Sequence, residues 1–194
     1  MVIVALAGRR IDAPDAAEPR FPLENRQVVA ERLHQALARL RPRALVSSAA
    51  CGADLVALQA ARRLGIRTRI VLPFDRDRFR STSVVDRPGD WGVLFDELCD
   101  QAEGSGDLVI LGLSEGEAAY RVVTERILDE ALALAQKPGG QSGGLTAIVV
   151  WDGAPRGPGD LTAEFAALAR NRGFAVTEVG TLRSAEVDRS PGEQ

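Results

Sequence analysis

The sequence predicts a three-layer α/β fold in which helices cover both faces of a mostly parallel central sheet. Short apolar runs alternate with longer segments of helical periodicity along most of the chain. The runs, beginning with residues 2–7, are almost entirely apolar, which is typical of strands that are buried on both faces. The links between the first elements are short, as in successive βα units, and such units build a parallel sheet.

The first part of the chain predicts two βα units followed by a third strand. Residues 2–7 form the first strand, and residues 23–40 then place apolar side chains at helical spacing. Residues 44–48 predict a second strand. Residues 51–64 predict a helix, because one glycine stands near its start and another directly after its end. Residues 68–72 predict the third strand, which a proline closes.

The middle of the chain is less regular. Residues 74–90 are polar and rich in arginine, which indicates a loop, and residues 91–102 predict a helix. The apolar run at residues 107–112 predicts an additional or edge strand.

The last part of the chain returns to the alternating pattern. Residues 118–134 predict a long amphipathic helix, and the sequence KPGGQSGG at 137–144 predicts a flexible connector. Residues 145–151 are the strongest remaining strand. A helix at residues 161–171 and a final strand at residues 174–179 complete the predicted sheet.

Composition and charge are those of an ordinary soluble globular protein. The chain has 194 residues, of which 45% are hydrophobic and 26% charged, and its net charge is −3. This length predicts a single domain over residues 1–180, followed by a polar, loosely ordered tail over residues 181–194. The acidic balance gives no reason to expect a nucleic-acid partner, and no apolar run is long enough to cross a membrane.

Cysteine and histidine usage argues against metal and thiol chemistry. Cys51 and Cys99 are far apart and His34 is the sole histidine, so we expect neither a metal site nor a cofactor. Cys51 lies close to a predicted helix start, which favours a thiolate, but no general base stands beside it. No secretory signal is recognisable, so the expected location is the cytoplasm.

Small and polar residues follow the carboxyl ends of three predicted strands. The first strand continues into the tripeptide Gly-Arg-Arg at 8–10, and the strand 145–151 continues into Asp-Gly at 152–153. The turn SSAACGAD at 47–54 leads into the second predicted helix. Ligands of open parallel sheets bind at the carboxyl ends of the strands, where the strand order reverses. We therefore expect these three corners to meet at one crevice.

The corner after the strand 145–151 raises a question of its own. The sequence VVWDGAPRGPGDLTAEF at 149–165 passes from a buried strand to a helix through a flexible, polar stretch. It is either a simple turn or a helix start that is kept open for an anion, which unpaired N–H groups and the helix dipole would favour.

Several motifs, taken in their order and spacing, are similar to one known superfamily. They are Gly-Arg-Arg at 8–10, RFP at 20–22, GADLVALQAA at 52–61, LPFDRDRF at 72–79, Trp91 with Phe95, Tyr120, and residues 149–176. Together they resemble the SLOG superfamily of Rossmann-like nucleotide-binding domains over nearly the whole chain except its tail. That superfamily includes LOG-type phosphoribohydrolases, DNA-processing protein A, and domains proposed to sense nucleotide-derived signals. The resemblance implies a Rossmann-like fold and a nucleotide-derived ligand.

The chain departs from the superfamily at several positions. Arg9 stands where many relatives have histidine, and Gln59 stands where they often have glutamate. Asp160 replaces the glycine before the last helix, so a carboxylate lies where a phosphate would be expected to dock. When the threonine of the phosphoribohydrolase signature PGGxGTxxE is aligned with Thr162, Phe165 takes the place of the essential glutamate. Cleavage of an N-glycosidic bond by that route is therefore not expected.

The ligand-binding candidates share a position near the carboxyl ends of the strands. They are Gly8, Arg9, Arg10, Ser47, Ser48, Gly52, Asp54, Arg80, Tyr120, Trp151, Asp152, Gly153 and Thr162. In this interpretation, Arg9 and Arg10 hold phosphate oxygens and Asp152 reaches a ribose hydroxyl. Each residue type also has a structural alternative: ion pairing for arginine, turn formation or helix capping for the small and acidic residues, and core packing for the aromatic rings.

The arginine-rich segment 74–90 has two interpretations. Four arginines surround Phe79 just after a strand ends, which is the composition of a lid that closes over an anion; they are Arg76, Arg78, Arg80 and Arg87. Because three aspartates balance much of this charge, the segment also fits a solvated surface loop.

Three functions remain open at this stage. The first is binding or sensing of a nucleotide or nucleotide-sugar, in concert with a separate effector protein. The second is a hydrolase or glycosyl transferase acting on nucleoside phosphates, with Asp152 and Glu164 as its acid/base pair. The third is an oligomerisation scaffold. Self-association into a homo-oligomer is expected because it is common for such folds.

Overall fold

A six-stranded, all-parallel sheet forms the centre of the protein. The structure is a computed structural model that describes residues 1–136 and 143–183, so most of the predicted connector and residues 184–194 of the predicted tail lie outside the described residues. The strands are β1 (Val2–Gly8), β2 (Ala44–Ser47), β3 (Arg67–Leu72), β4 (Leu108–Ile110), β5 (Gly144–Trp151) and β6 (Ala175–Gly180). Their order across the sheet is β4-β3-β2-β1-β5-β6, and every neighbouring pair is parallel.

Helices connect the strands and cover both faces of the sheet. They are α1 (Arg26–Leu40), α2 (Ala53–Arg63), α3 (Arg76–Ser83), α4 (Trp91–Gly104), α5 (Glu117–Ala135) and α6 (Leu161–Asn171). A short 3-10 turn, Leu23–Asn25, precedes α1. The predicted α/β fold with its parallel sheet is confirmed, and every helix except α3 was predicted to within a few residues.

Successive side chains of the central strands enter two different cores. In β1, Val4 and Leu6 belong to a buried cluster that also contains residues of α1, α2 and α4. Ile3 and Ala5, which point to the opposite face, pack in a second cluster with residues of α5 and α6. Because both faces of the strand are covered, nearly every residue of β1 must be apolar, which explains the uninterrupted apolar run in the sequence.

The prediction of a loop over residues 74–90 is wrong for residues 76–83, which form the helix α3. The carboxylate of Asp75 caps this helix by accepting a hydrogen bond of 2.9 Å from the N–H of Arg78. Phe79 is buried and stacks on Phe95 of α4, with 6.0 Å between the ring centroids. Because α3 has so few apolar residues over its eight positions, its sequence shows almost no helical periodicity. The helix is instead held by contacts with other elements, such as that of Phe79 with Phe95.

The strand order reverses between β1 and β5, as the sequence predicted. β1 pairs with β5 from Val2 opposite Gly144 to Gly8 opposite Val150, while β2 lies on the other side of β1. The connections after β1 and after β5 therefore leave in opposite directions and create a crevice at the carboxyl edge of the sheet. Among the helices within the described ranges, none is long and apolar enough to span a membrane.

Candidate functional site

A cavity of about 680 Å³ lies at the carboxyl edge of the sheet. Its walls come from the loop that follows β1, the starts of α2 and α6, the end of α3, and the first half of α5. The volume falls within the range of about 300–1,000 Å³ that is typical of small-molecule sites. The cavity occupies the place where the strand order reverses, which is where open α/β sheets bind their ligands.

The sequence-predicted site residues divide into two groups around this cavity. Seven of them line it, namely Gly8, Arg9, Arg10, Ser48, Asp54, Tyr120 and Thr162. The other six lie outside its lining, namely Ser47, Gly52, Arg80, Trp151, Asp152 and Gly153. The three polar corners thus meet as expected, but not every side chain in them faces the cavity.

The two glycines of the site are required by close packing of the backbone. A Cβ atom on Gly8 would lie 2.5 Å from the carbonyl oxygen of Val150 and 2.6 Å from the Cβ of Ala53. Gly52 has a φ of +105°, and a Cβ there would lie 2.8 Å from the carbonyl oxygen of Arg9. These contacts bring the end of β1 directly against the start of α2.

The close approach of β1 also uses hydrogen-bond donors at the start of α2. The N–H of Ala53 donates to the carbonyl of Arg9 at 3.0 Å, and the N–H of Leu55 donates to the carbonyl of Ala50 at 3.3 Å. Two of the donors that normally remain free at a helix N-terminus are therefore used within the protein.

Arg9 is a buried clamp. Its side chain is 2% exposed; its Nε donates to Asp152 at 2.8 Å, and its Nη1 donates to both carboxylate oxygens of Asp160 at 2.7 Å. Its Nη2 donates to the carbonyl of Ala154 at 2.6 Å. Because these bonds engage all three nitrogens of the guanidinium, the structural alternative describes Arg9 better than a direct phosphate contact does.

Asp160 closes the corner between β5 and α6. Its carboxylate accepts hydrogen bonds from the N–H groups of Thr162 at 3.0 Å, Ala163 at 3.4 Å and Arg156 at 2.7 Å. Burial works to raise the pKa of this carboxyl, but the Arg156 N–H and the charge of Arg9 outweigh burial, so the pKa is lowered. The start of α6 is therefore occupied by the protein's own anion, which answers the question raised by the flexible corner.

The suggested acid/base pair of Asp152 and Glu164 is not brought together at the cavity. Asp152 accepts hydrogen bonds from Arg9 at 2.8 Å and from Arg20 at 2.6 Å, and its side chain is 7% exposed. Glu164 is engaged by the guanidinium of Arg121 at 3.0 Å and does not line the cavity. Trp151 also lies outside the cavity, where its Nε1 donates to Glu178 at 3.0 Å.

Most arginines of the segment 74–90 pair with carboxylates away from the cavity. Arg76 binds Asp100, Arg78 binds Glu115, and Arg80 binds Asp96. None of these three arginines lines the cavity, whereas Arg87 does. Of the four arginines that could have formed a lid, Arg87 is therefore the one that lies at the cavity.

Two further pairs of arginines line the cavity, with side chains that are between 21% and 60% exposed. Arg10 and Arg87 both approach Asp86, which lies between them. At the opposite corner, Arg20 bridges Asp152 and Glu18, while Arg156 lies 3.9 Å from its nearest carboxylate oxygen, on Asp160. Sequence reasoning missed Arg20 and Arg156 as site residues, although both stand in the polar corners that follow β1 and β5.

Asp54 carries a carboxyl group on the cavity wall, and the pKa of this group lies close to neutral pH. Burial raises its pKa to about 7, and the N–H of Ala50, which lies 3.2 Å from the carboxylate, offsets this only in part. Near neutral pH the group is present in both protonation states, so it can donate or accept a hydrogen bond.

The later part of the loop after β1, residues 12–20, forms one side of the cavity and was not predicted as part of the site. The carboxylate of Asp12 accepts hydrogen bonds from the N–H groups of Arg20 at 2.9 Å and Phe21 at 3.0 Å, which ties the two ends of the loop together. Between these ends, Ala13, Ala16, Ala17 and Glu18 line the cavity. Their sequence, APDAAE, carries no periodicity or motif that would have indicated this role.

The remaining wall is apolar or carries hydroxyl groups. Tyr120 on α5 lines the cavity, with its hydroxyl 3.0 Å from that of Ser83. Val123 and Ile127 from the next turns of α5 line it as well, together with Phe79 of α3.

Both cysteines are buried, and the pKa of each thiol is raised. Cys51 is buried, and burial raises the pKa of its thiol although Arg10 opposes this shift. Burial also raises the pKa of Cys99, to about 12. Across residues 1–136 and 143–183, no group of three or more histidine, cysteine or acidic side chains is arranged to hold a metal ion.

Comparisons with known proteins found similarity at the level of structure. No protein-family model matches the sequence, and no curated protein matches it either. The Moco carrier protein from Chlamydomonas reinhardtii is similar over 95% of this chain and 78% of its own, with 20% identity and a TM-score of 0.45. The molybdenum cofactor binding protein from the phototrophic bacterium Rippkaea orientalis is similar over 91% of this chain and 88% of its own, with 12% identity and a TM-score of 0.35.

A third similar structure is DNA processing protein A from Streptococcus pneumoniae. It is similar over 98% of this chain and 62% of its own, with 14% identity and a TM-score of 0.33.

Proposed function

We propose that the cavity at the carboxyl edge of the sheet binds a phosphorylated small molecule of the nucleotide or nucleotide-sugar class. The observation that carries the proposal is the set of four arginines, Arg10, Arg20, Arg87 and Arg156, around a cavity of about 680 Å³. Guanidinium groups form short, charge-assisted hydrogen bonds with phosphate, and a partly enclosed site strengthens them.

Among these four arginines, Arg156 has the most exposed side chain and the weakest pairing with a carboxylate. Its side chain is 60% exposed, and its nearest carboxylate oxygen lies 3.9 Å away, beyond hydrogen-bond distance. Burial and the positive charge of Arg9 and Arg20 lower its pKa, so Arg156 lies in surroundings that disfavour another cation. An anion bound here would relieve that repulsion.

The rest of the wall suits the uncharged parts of such a ligand. Tyr120, Val123 and Ile127 offer apolar surface for a base, and Ser48, Asp54 and Ser83 offer hydrogen-bonding groups for a sugar. Asp152, Trp151 and Gly153 take no direct part in the proposed binding, because they lie outside the lining of the cavity.

Thermal unfolding in the presence of AMP, ADP, ADP-ribose, cyclic AMP and the molybdenum cofactor tests the proposal. A ligand at 100 times its Kd adds about 2.7 kcal/mol to the stability of the folded state. For a chain of this size, that corresponds to a rise in Tm of roughly 5–10 °C. If no phosphorylated compound raises the Tm, the proposal is wrong.

A cavity-filling variant separates binding in the cavity from binding elsewhere. Ala16→Trp places a large side chain in the exposed loop that lines the cavity and should abolish the ligand-dependent rise in Tm. Ala175→Trp, at an exposed position on the edge strand β6, is the matched control and should leave it intact.

The same samples distinguish binding from the other candidate functions. Release of free base or sugar phosphate, followed by chromatography, would indicate a hydrolase or transferase, whereas a sensor leaves its ligand unchanged. Size-exclusion chromatography with and without ligand tests self-association, and co-purification from cells tests for an effector protein that responds to the bound form.

A further inference from the structure

Building on the proposed function, we propose that the ligand carries two separated anionic groups joined by a neutral part. Arg10 and Arg87 bind one anionic group, and Arg20 and Arg156 bind the other. These two anion subsites are called the α2 subsite and the α6 subsite, after the helices beside which they lie. Tyr120 and its neighbours on α5 contact the part of the ligand between them.

The α2 subsite contains two guanidinium groups and one carboxylate. Arg10 donates through Nη2 to Asp86, and the Nε of Arg87 lies 3.6 Å from the other oxygen of Asp86, beyond hydrogen-bond distance. Within the part of the chain that the structure describes, the buried Nε atoms of both arginines have no hydrogen-bond acceptor. Buried donors without a partner are rare in folded proteins, so this cluster holds more donors than the described residues satisfy.

The α6 subsite, like the α2 subsite, contains more positively than negatively charged groups, supplied by different residues. Arg9, Arg20 and Arg156 share the two buried carboxylates of Asp152 and Asp160, so one positive charge exceeds the buried negative charge. The other acidic partner of Arg20 is Glu18, which is 66% exposed and lies on the loop that follows β1. An incoming anion can therefore replace this solvated carboxylate beside Arg20 at little cost.

The two subsites are separate in space and in electrostatics. Arg10 contacts Cys51 and Asp86, next to the corner between β2 and α2. Arg156 lies in the corner between β5 and α6, on the far side of β1. The titratable groups that interact with Arg10 are Cys51, Asp86 and Asp54, whereas those that interact with Arg156 are Arg9, Arg20, Asp152 and Asp160. The two pairs of arginines therefore lie at different corners of one cavity, and a ligand with an anion at each end would engage both.

The decisive comparison uses ligands with equal numbers of phosphates at different separations. Adenosine 3′,5′-bisphosphate carries its phosphates on opposite sides of the ribose, and ADP carries both at one end. Calorimetric titration of the full chain with each compound gives the Kd. A second comparison, which does not depend on a base, uses fructose 1,6-bisphosphate and fructose 6-phosphate, which differ by one phosphate.

Variants at one arginine of each subsite supply the test. Arg87→Gln and Arg156→Gln remove one charge from a partly exposed side chain, and Arg78→Gln removes one from a surface ion pair outside the cavity. We expect Arg87→Gln and Arg156→Gln each to weaken the binding of adenosine 3′,5′-bisphosphate about tenfold, and only one of them to weaken ADP binding to that extent. Arg78→Gln should leave both affinities within about twofold, because its ion pair is on the surface.

For the sugar pair, the second phosphate should tighten binding about tenfold, and the variant in the subsite that holds it should remove this gain. Binding of the bisphosphates that depends on one arginine alone, or an identical response of ADP and adenosine 3′,5′-bisphosphate, would overturn the two-subsite inference while the proposed function stands. Absence of binding by every phosphorylated compound would overturn the proposed function itself.

Thermal unfolding of each variant without ligand verifies that it is folded, and Arg87→Lys, which retains the charge, should keep most of the affinity.

Discussion

The guanidinium of Arg9 donates to both carboxylate oxygens of Asp160 at 2.7 Å, although the two residues lie 151 positions apart in the chain. Both side chains are at most 2% exposed. The pair joins the end of β1 to the N-cap of α6, and it therefore holds two walls of the cavity in place. It also places the protein's own negative charge at the helix end where an anionic ligand would otherwise bind.

Asp160→Asn should lower the free energy of unfolding by about 3–5 kcal/mol, because it leaves the buried charge of Arg9 short of a partner. Urea denaturation at pH 7 measures this change. The control is Glu115→Gln, which breaks the exposed ion pair with Arg78 and should change stability by less than about 1 kcal/mol. Equal effects of the two substitutions would contradict the assigned role of Asp160.

The difference between wild type and Asp160→Asn should also depend on pH. The pKa of Asp160 is lower in the folded protein than its ordinary value. Its contribution to stability is therefore complete above about pH 4, the unfolded value, and is lost as the pH falls through the folded value. Denaturation curves at a series of acidic pH values should show the two proteins converging.

Asp54 should produce the opposite pH dependence. Its pKa is raised to about 7, so between about pH 4 and pH 7 the folded state holds a proton that the unfolded state has released. Stability therefore falls as the pH rises through this window and is level above it. Asp54→Asn, which cannot ionise, should be more stable than wild type at pH 8 by on the order of 2–4 kcal/mol, with the difference vanishing near pH 4. A constant difference across this range of pH would rule out the raised pKa.

Gly8→Ala should destabilise the protein by about 1–3 kcal/mol or more, because the new Cβ would overlap the carbonyl oxygen of Val150 and the Cβ of Ala53. Gly104→Ala is the matched control at the end of α4, where no atom lies within 4 Å of the added Cβ. The control should stabilise the protein by roughly 0.5–1 kcal/mol, since alanine restricts the unfolded chain. Thermal unfolding of both variants gives the comparison.

Glu164→Gln should leave the affinity for any nucleotide that binds unchanged within about twofold, because Glu164 pairs with Arg121 outside the cavity. Arg156→Gln should weaken the affinity for adenosine 3′,5′-bisphosphate about tenfold at low salt, with a smaller difference at high salt. Calorimetric titration at two ionic strengths measures both effects. A large loss on Glu164→Gln would restore this residue as a participant in binding or catalysis.

The strands and most helices could be predicted because burial leaves a local pattern in the sequence. The apolar run of β1 and the 3.6-residue spacing of α1 reflect faces that must be covered, whichever elements cover them. The helix α3 could not be predicted in this way, since its stability rests on the contact of Phe79 with Phe95 and on the Asp75 cap. The strand reversal was predicted correctly because short βα units leave few arrangements for a parallel sheet.

The amino-acid sequence by itself determined the α/β fold, the edge of the sheet where polar corners meet, and the presence of arginines there. Only the tertiary structure decided which carboxylate each arginine pairs with, because the partners of Arg9 and Arg80 come from other segments whose approach no local pattern encodes. It assigned Arg9 to the buried clamp and left Arg10, Arg20, Arg87 and Arg156 at the cavity. The physical reason is that a charged side chain is held by whichever opposite charge the fold brings within a few ångströms, and that distance exists only after the chain has folded.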